Sequence, residues 1–197
     1  MLRLLLALIV LFVACPARAL TLDGVTLDPD GQVRPAILQA AVAAWRARPD
    51  ARRDVLAIAD LGRRSTETRF AIVDLKTGGV IALRTAHGRG SDADHDGLAE
   101  VFSDAPGSLA SALGAYRTGA RYFGKHGLSL RLEGLDASNA NAAPRAIVLH
   151  AAEYMSAAHI ARHGRPGRSW GCFVVAPNEI EAVVSRLEGG VLLYAGR

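Results

Sequence analysis

The sequence predicts one mostly-β domain with a few peripheral helices, an α+β fold. Three observations point there. Short β-prone runs outnumber helical ones, and two of them, residues 70–75 and 80–83, flank the turn Lys76-Thr77-Gly78-Gly79 and so form a hairpin. The stretches between runs are long and rich in glycine, where sites tend to reside. The 197 residues suffice for one ordinary core and not comfortably for two.

Residues 1–19 read as a leader. Met1-Leu2-Arg3 gives a positive start, residues 4–14 are apolar throughout, and Ala17-Arg18-Ala19 is a small-x-small cleavage pattern. The apolar run is too short for a stable membrane span, so a signal peptide and export are expected. Cys15, after Phe12-Val13-Ala14, loosely resembles a lipoprotein signal. Phe12 stands where such signals usually carry Leu, so ordinary cleavage after Ala19 is favoured over a lipid anchor on Cys15.

After a polar lead-in, residues 34–48 are predicted helical, because Ile37, Leu38, Ala41, Val42 and Trp45 fall at three- and four-residue spacings. Pro49-Asp50 closes that helix, and residues 55–61 form a short apolar strand. The hairpin follows, then a loop over residues 87–108 rich in Gly, Asp, Ser and Pro. Residues 128–132 alternate as a half-buried strand, and residues 145–150 form a buried strand ending on His150. A last helix is expected with Asn178 as cap and Glu181 reaching back; Gly189-Gly190 ends it and residues 191–194 make a final strand.

Removing residues 1–19 takes away Arg3 and Arg18, leaving 21 basic against 19 acidic side chains, a net charge of +2. That is too mild to argue for nucleic acid. Cleavage also leaves a single cysteine, Cys172, in a compartment where paired cysteines become disulfides. One thiol cannot be an internal staple. It is a buried hydrophobe, an intermolecular link or a reactive group.

A thiol acts as nucleophile only as thiolate and needs a base within reach. His150 ends a predicted strand 22 residues before Cys172, with Tyr154, His159, His163 and a Gly/Arg-rich run between them. Gly171 lets the backbone approach a ligand, and consecutive N–H groups there are candidates to hold an oxyanion. Spacing alone leaves the inert reading of Cys172 open.

Several ordered segments carry a more specific signal. They are His87-Gly88-Arg89-Gly90-Ser91, Phe102-Ser103-Asp104-Ala105-Pro106-Gly107-Ser108 and Tyr122-Phe123-Gly124-Lys125-His126-Gly127, then Leu128-Ser129-Leu130-Arg131-Leu132, Ile147-Val148-Leu149-His150 and residues 163–172, ending Arg168-Ser169-Trp170-Gly171-Cys172. From about Phe70 to Tyr194 the chain resembles the L,D-transpeptidase catalytic domain (YkuD-like), in a variant branch with Ser-Trp-Gly-Cys at the active site. The resemblance implies a β-sandwich over residues 61–197, with residues 20–60 as an N-terminal helical extension. It also implies a periplasmic enzyme secreted across the inner membrane, with peptidoglycan stem peptides as partners and no cofactor.

In that family a Cys attacks the carbonyl between diaminopimelate (or lysine) and the terminal D-Ala of a stem tetrapeptide. D-Ala leaves, and the acyl group passes to an amine, giving a 3→3 cross-link, or to water. Carried over by motif, Cys172 is the nucleophile and His150 the base, oriented by a backbone carbonyl. The amides of Gly171 and Cys172 form part of the oxyanion hole. Trp170, Ser169, Arg168, Arg165, His126 and His87 are candidate substrate contacts. The chain departs from the family pattern in three places. Trp170 replaces the usual His before Gly-Cys, Val174 stands where an Arg is usual, and Phe173 where Pro is commoner.

Asp92-Ala93-Asp94-His95-Asp96-Gly97 copies the start of a calcium loop, but Ser103 occupies the twelfth position in place of Glu. His159 and His163 are four apart without the Glu of a zinc motif, so no metal is expected. Three rivals remain. An L,D-carboxypeptidase would use the same acyl-enzyme with water as acceptor. An NlpC-type cysteine peptidase carries its Cys before its His, the reverse of the order here. A non-catalytic peptidoglycan-peptide-binding module would keep the cleft and lose turnover.

Overall fold

The computed structural model describes residues 20–197. The expected leader, with Cys15 and the cleavage site after Ala19, lies outside the described residues. The chain begins with a small hairpin, β1 (Thr21–Leu22) and β2 (Val25–Thr26), then α1 (Pro35–Arg46) and β3 (Val55–Asp60). The hairpin β4 (Phe70–Asp74) and β5 (Val80–Leu83) follows, and after a long loop β6 (Gly114–Gly124) and β7 (Gly127–Gly134). Next come β8 (Val148–Ala151), α2 (Ala157–His163), β9 (Phe173–Val175), α3 (Ile180–Leu187) and β10 (Leu192–Gly196).

Eight strands form one mixed sheet in the order β5-β4-β3-β10-β6-β7-β8-β9. The pairs β3–β10 and β8–β9 are parallel and the others antiparallel. The sheet curls until its edges nearly meet. Just beyond β5, the Ala86 N–H donates to the Val174 carbonyl of β9 at 3.0 Å, and the Val174 N–H donates to Thr85 Oγ1 at 3.1 Å. The two layers expected of a sandwich are therefore two halves of one curled sheet.

All six residues of β3 are buried, because both faces of this strand are covered. Val55, Ala57 and Ala59 join Leu130, Leu149, Phe173 and the Val183, Val184 and Leu187 face of α3 in the inner core. Leu56 and Ile58 face outward and are covered by Ile37, Leu38, Ala41, Val42 and Trp45 of α1. Each large apolar side chain buried there contributes roughly 1.5–3 kcal/mol. Pro35 opens α1, where its missing N–H costs nothing.

The structure adds to the sequence reading at three points. The expected division at residue 60 falls at the end of β3, which lies in the middle of the sheet with α1 packed on it. At the start of α3 the backbone is held by Glu179, whose Oε2 accepts from the Ala176 N–H at 3.1 Å; neither Asn178 nor Glu181 makes that bond. Strand β6 was not anticipated, because Gly114, Gly119 and Gly124 interrupt it and its register shifts between Thr118 and Arg121.

Candidate active site

The parallel pairing of β8 and β9 sets Leu149 opposite Phe173 and His150 opposite Val174. Carried one residue back, that register brings Cys172, just before β9, beside Val148. Cys172 and His150 line one cleft of about 420 Å³. Its walls are Tyr122, Lys125 and His126 from the β6–β7 hairpin, Arg145 and Ala146 just before β8 and Val148 at its start, Ala152 and Tyr154 beyond it, and Arg168, Ser169 and Trp170 before the thiol.

His150 is buried, and its Nδ1 lies 2.9 Å from the Ala151 carbonyl. That carbonyl can only accept, so Nδ1 carries the proton and Nε2 is left as a free base. Burial pushes His150 below its usual value, the positive charges of His126 and Lys125 add to this, and the Ala151 carbonyl opposes it. The Cys172 thiol is pushed up by burial, against the opposing effects of the Val148 amide, Lys125 and Arg145. Its Sγ lies 3.7 Å from the Ala146 carbonyl. Both shifts favour the same resting state, a neutral thiol beside a neutral imidazole. The pair is suited to proton transfer during attack rather than to a standing ion pair.

Ser169 is a brace within the nucleophile loop. Its N–H donates to the His87 carbonyl at 2.8 Å, and its carbonyl accepts from the Arg89 N–H at 2.8 Å. Its hydroxyl donates to the Cys172 carbonyl at 2.8 Å and accepts from the Gly171 N–H at 3.1 Å. The Gly171 amide, expected to face an oxyanion, is thus turned into the loop. The Cys172 N–H meets no protein acceptor among the described residues.

Gly171 sits at φ +114°, where a Cβ would come within 2.7 Å of the Ala110 carbonyl and 2.8 Å of Ile147 Cδ1. Gly171→Ala therefore combines backbone strain with overpacking and is expected to lower stability by about 2–5 kcal/mol in urea unfolding. A loss under about 1 kcal/mol would mean the loop relaxes freely.

His87 does not face the cleft. It is 1% exposed and lies beneath the nucleophile loop. Its Nδ1 accepts from Arg69 Nη2 at 2.9 Å, and its Nε2–H donates to Asp92 Oδ2 at 2.9 Å, so one neutral tautomer bridges a buried cation and a buried anion. Burial, then the Arg69 charge, hold His87 down to about 4, against the attraction of Asp92. An unfolded chain takes up that proton near 6.5, so His87 makes stability fall as pH drops from 6.5 towards about 4. The loss should amount to roughly 3 kcal/mol. Urea unfolding at pH 7, 5.5 and 4 should show a steeper decline than in His87→Gln, and parallel declines would refute the assignment.

The remaining candidates divide. Trp170, 63% exposed, stands at the cleft rim. Arg168 lines the cleft with Nη1 bonded to the backbone carbonyls of Asp92 and Ala93. Arg165 is turned away, donating to the His95 carbonyl at 2.6 Å. His126 stacks on His150, with ring centroids 4.2 Å apart. Lys125 and Arg145 had not been singled out as site residues. Arg145 pairs with Asp104 at 3.4 Å and donates to the Ala110 carbonyl at 2.6 Å. Tyr122 and Tyr154 are cleft walls. The carboxylates of Asp92, Asp94 and Asp96 lie within 4.8 Å of one another, and each accepts from a backbone N–H of its own loop.

A family model described as the L,D-transpeptidase catalytic domain matches residues 30–195. No curated protein matches the chain. Solved structures similar to it include an L,D-transpeptidase from Mycobacterium smegmatis, with 12% identity and a TM-score of 0.43, covering 73% of this chain and 59% of that one. L,D-transpeptidase 3 from Mycobacterium tuberculosis shows 10% identity and a TM-score of 0.47, covering 73% and 61%. One from Stackebrandtia nassauensis shows 13% identity and a TM-score of 0.43, covering 75% and 58%. The chain spans about three fifths of the length of these solved chains.

Proposed function

The chain belongs to the L,D-transpeptidase catalytic-domain family, and from that premise we propose that it is a murein L,D-transpeptidase working through a Cys172 thioester. The observation that carries this reading is the shared cleft of Cys172 and His150, with the imidazole held by the Ala151 carbonyl so that Nε2 is free. His150 Nε2 takes the thiol proton as Sγ attacks the carbonyl before the terminal D-Ala of a stem tetrapeptide. The oxyanion of the tetrahedral intermediate draws on the Cys172 N–H. The C–N bond breaks, the His150 proton passes to the departing D-Ala amine, and a thioester remains. An amine from a second stem peptide then attacks, loses its proton to His150 and displaces Sγ, which recovers the proton. The product is a 3→3 cross-link.

The charge of the cleft supports an anionic peptide substrate. Lys125, Arg145 and Arg168 line it, and no Asp or Glu is among its lining residues. Arg145 is engaged by Asp104 and Arg168 by backbone carbonyls, whereas Lys125 makes no ion pair among the described residues. Lys125 is the group we assign to a substrate carboxylate. We place the enzyme in the periplasm after loss of its leader; no helix among the described residues is long and apolar enough to cross a membrane.

The test is incubation of residues 20–197 with a disaccharide tetrapeptide, followed by mass. Loss of D-Ala with an acyl adduct on Cys172, then a cross-linked dimer, supports the proposal. Free tripeptide in place of dimer makes the protein an L,D-carboxypeptidase, and binding without adduct or product reduces it to a binding module.

A further inference from the structure

The β6–β7 hairpin reaches the proposed base from outside the nucleophile segment. Gly124 pairs with Gly127 across the two-residue tip Lys125-His126, and Gly127 takes the left-handed conformation that closes so tight a turn (φ +72°). Two residues further along β7, Ser129 lies opposite His150 of β8. That register folds the hairpin tip back over the cleft end of β8. The His126 ring lies 4.2 Å from the His150 ring, and the two planes are only 19° apart. His150 is buried and fixed by the Ala151 carbonyl, whereas His126 is solvent-exposed.

Neighbouring charges decide what this stack does with a proton. Lys125 shares the hairpin tip, and Arg145 and Arg168 contribute two further cations to the cleft. The other titratable groups lining it are Tyr122, Tyr154 and Cys172, each neutral when protonated. No carboxylate lines the cleft to balance two imidazolium rings lying face to face.

We propose that His126 is a positioning residue for His150: stacked on it, His126 fixes the plane of the base, and of the two rings the exposed one charges first. Charging His126 then opposes charging of His150, and the base stays free into mildly acidic solution. Burial and the charge of Lys125 hold His126 below its usual value, and burial followed by the Ala151 carbonyl, His126 and Lys125 acts on His150, so the two rings titrate as a coupled pair. The catalytic consequence rests on His150 being the base of the proposed reaction; the coupling itself does not.

The experiment is a histidine titration by NMR on residues 20–197, comparing the parent chain with His126→Gln and His150→Gln. His150 is expected to titrate at higher pH in His126→Gln, by several tenths to about one pH unit for one neighbouring charge removed. Because His126 charges while His150 is still neutral, its own midpoint should move by less in His150→Gln. A purely structural contact would not raise the His150 midpoint when His126 is replaced. His126 is exposed at a hairpin tip, and its substitution leaves the core intact. An unmoved or lowered His150 midpoint, or a larger shift of His126 in His150→Gln than of His150 in His126→Gln, overturns the proposal. A second arm measures the pH dependence of Cys172 acylation by a carbapenem. Its acid limb should move upward in His126→Gln by the shift that NMR reads, and a fixed limb overturns the positioning role. Absence of acylation in the parent chain, with the His150 shift in His126→Gln intact, would instead refute the enzymatic reading.

Discussion

Cys172→Ala is expected to abolish both the acyl adduct and D-Ala release, lowering turnover by at least about 10⁴-fold, as removal of a covalent nucleophile does elsewhere. The size of the effect follows from how little else in the cleft can replace the thiol. Cys172 is the only free cysteine among the described residues. The Ser169 hydroxyl, three residues away, is committed to the Cys172 carbonyl and the Gly171 amide. Tyr154 is pushed well above its usual value by burial, so its phenolate is scarce at neutral pH. The side chain is small and half-buried, and the thermal midpoint should change by only a few degrees. Intact-mass spectrometry with tetrapeptide checks the adduct and a D-Ala assay checks turnover. Persistent turnover in Cys172→Ala would end the thioester mechanism, whereas unchanged peptide affinity is expected and does not.

His150→Ala is the second large effect, a fall in acylation rate of about 10²- to 10⁴-fold. The thiol, held up by burial, is protonated at neutral pH and does not ionise unaided. Proton removal must therefore accompany attack, and His150 Nε2 is the base the cleft offers. The pH dependence has a definite sign. In the parent enzyme activity should rise as pH climbs through the depressed His150 titration and level off by neutrality. In the variant that rise disappears, and rate should climb only in alkaline solution, where the thiolate forms by itself. Substrate KM should change little, since a proton carrier acts mainly in the transition state. Single-turnover acylation between pH 5 and 9 would show this; a neutral-pH rate within about threefold of the parent would remove His150 from its role.

The legible parts of the fold were those set by local pattern. Helix α1 was readable because one face of it is apolar at helical spacing, and β4–β5 because Gly78-Gly79 sits between two β-prone runs. A strand-terminal histidine and a glycine-flanked thiol are visible in one dimension, but it is the family resemblance that pairs Cys172 with His150; the structure places both on one cleft. His87 was misplaced for the opposite reason. A histidine in a glycine-rich loop reads as exposed, and nothing local reveals that Arg69, across the sheet edge, and Asp92 bury it between opposite charges. Lys125 and Arg145 share a cleft only because β7 pairs with β8, a tertiary event without a sequence signature. Ser169 was chosen as a substrate contact, yet its hydroxyl is used up inside its own loop.

The place of β10 bears on how the molecule is assembled in time. This strand stands between β3 and β6 and joins the two halves of the sheet there. A chain delivered N-terminus first, from a ribosome or through a translocation channel, can form β4–β5 and β6–β7 early. It cannot join them until residues 192–196 arrive. Pairings this distant in sequence form slowly, because much chain entropy is lost before contacts repay it. During that interval β3 and β6 both present unpaired edges, and the apolar residues of β3 remain open to solvent. Such a topology keeps the polypeptide pliable until its final strand emerges, and then closes the cleft-bearing half onto the helix-bearing half in one cooperative step.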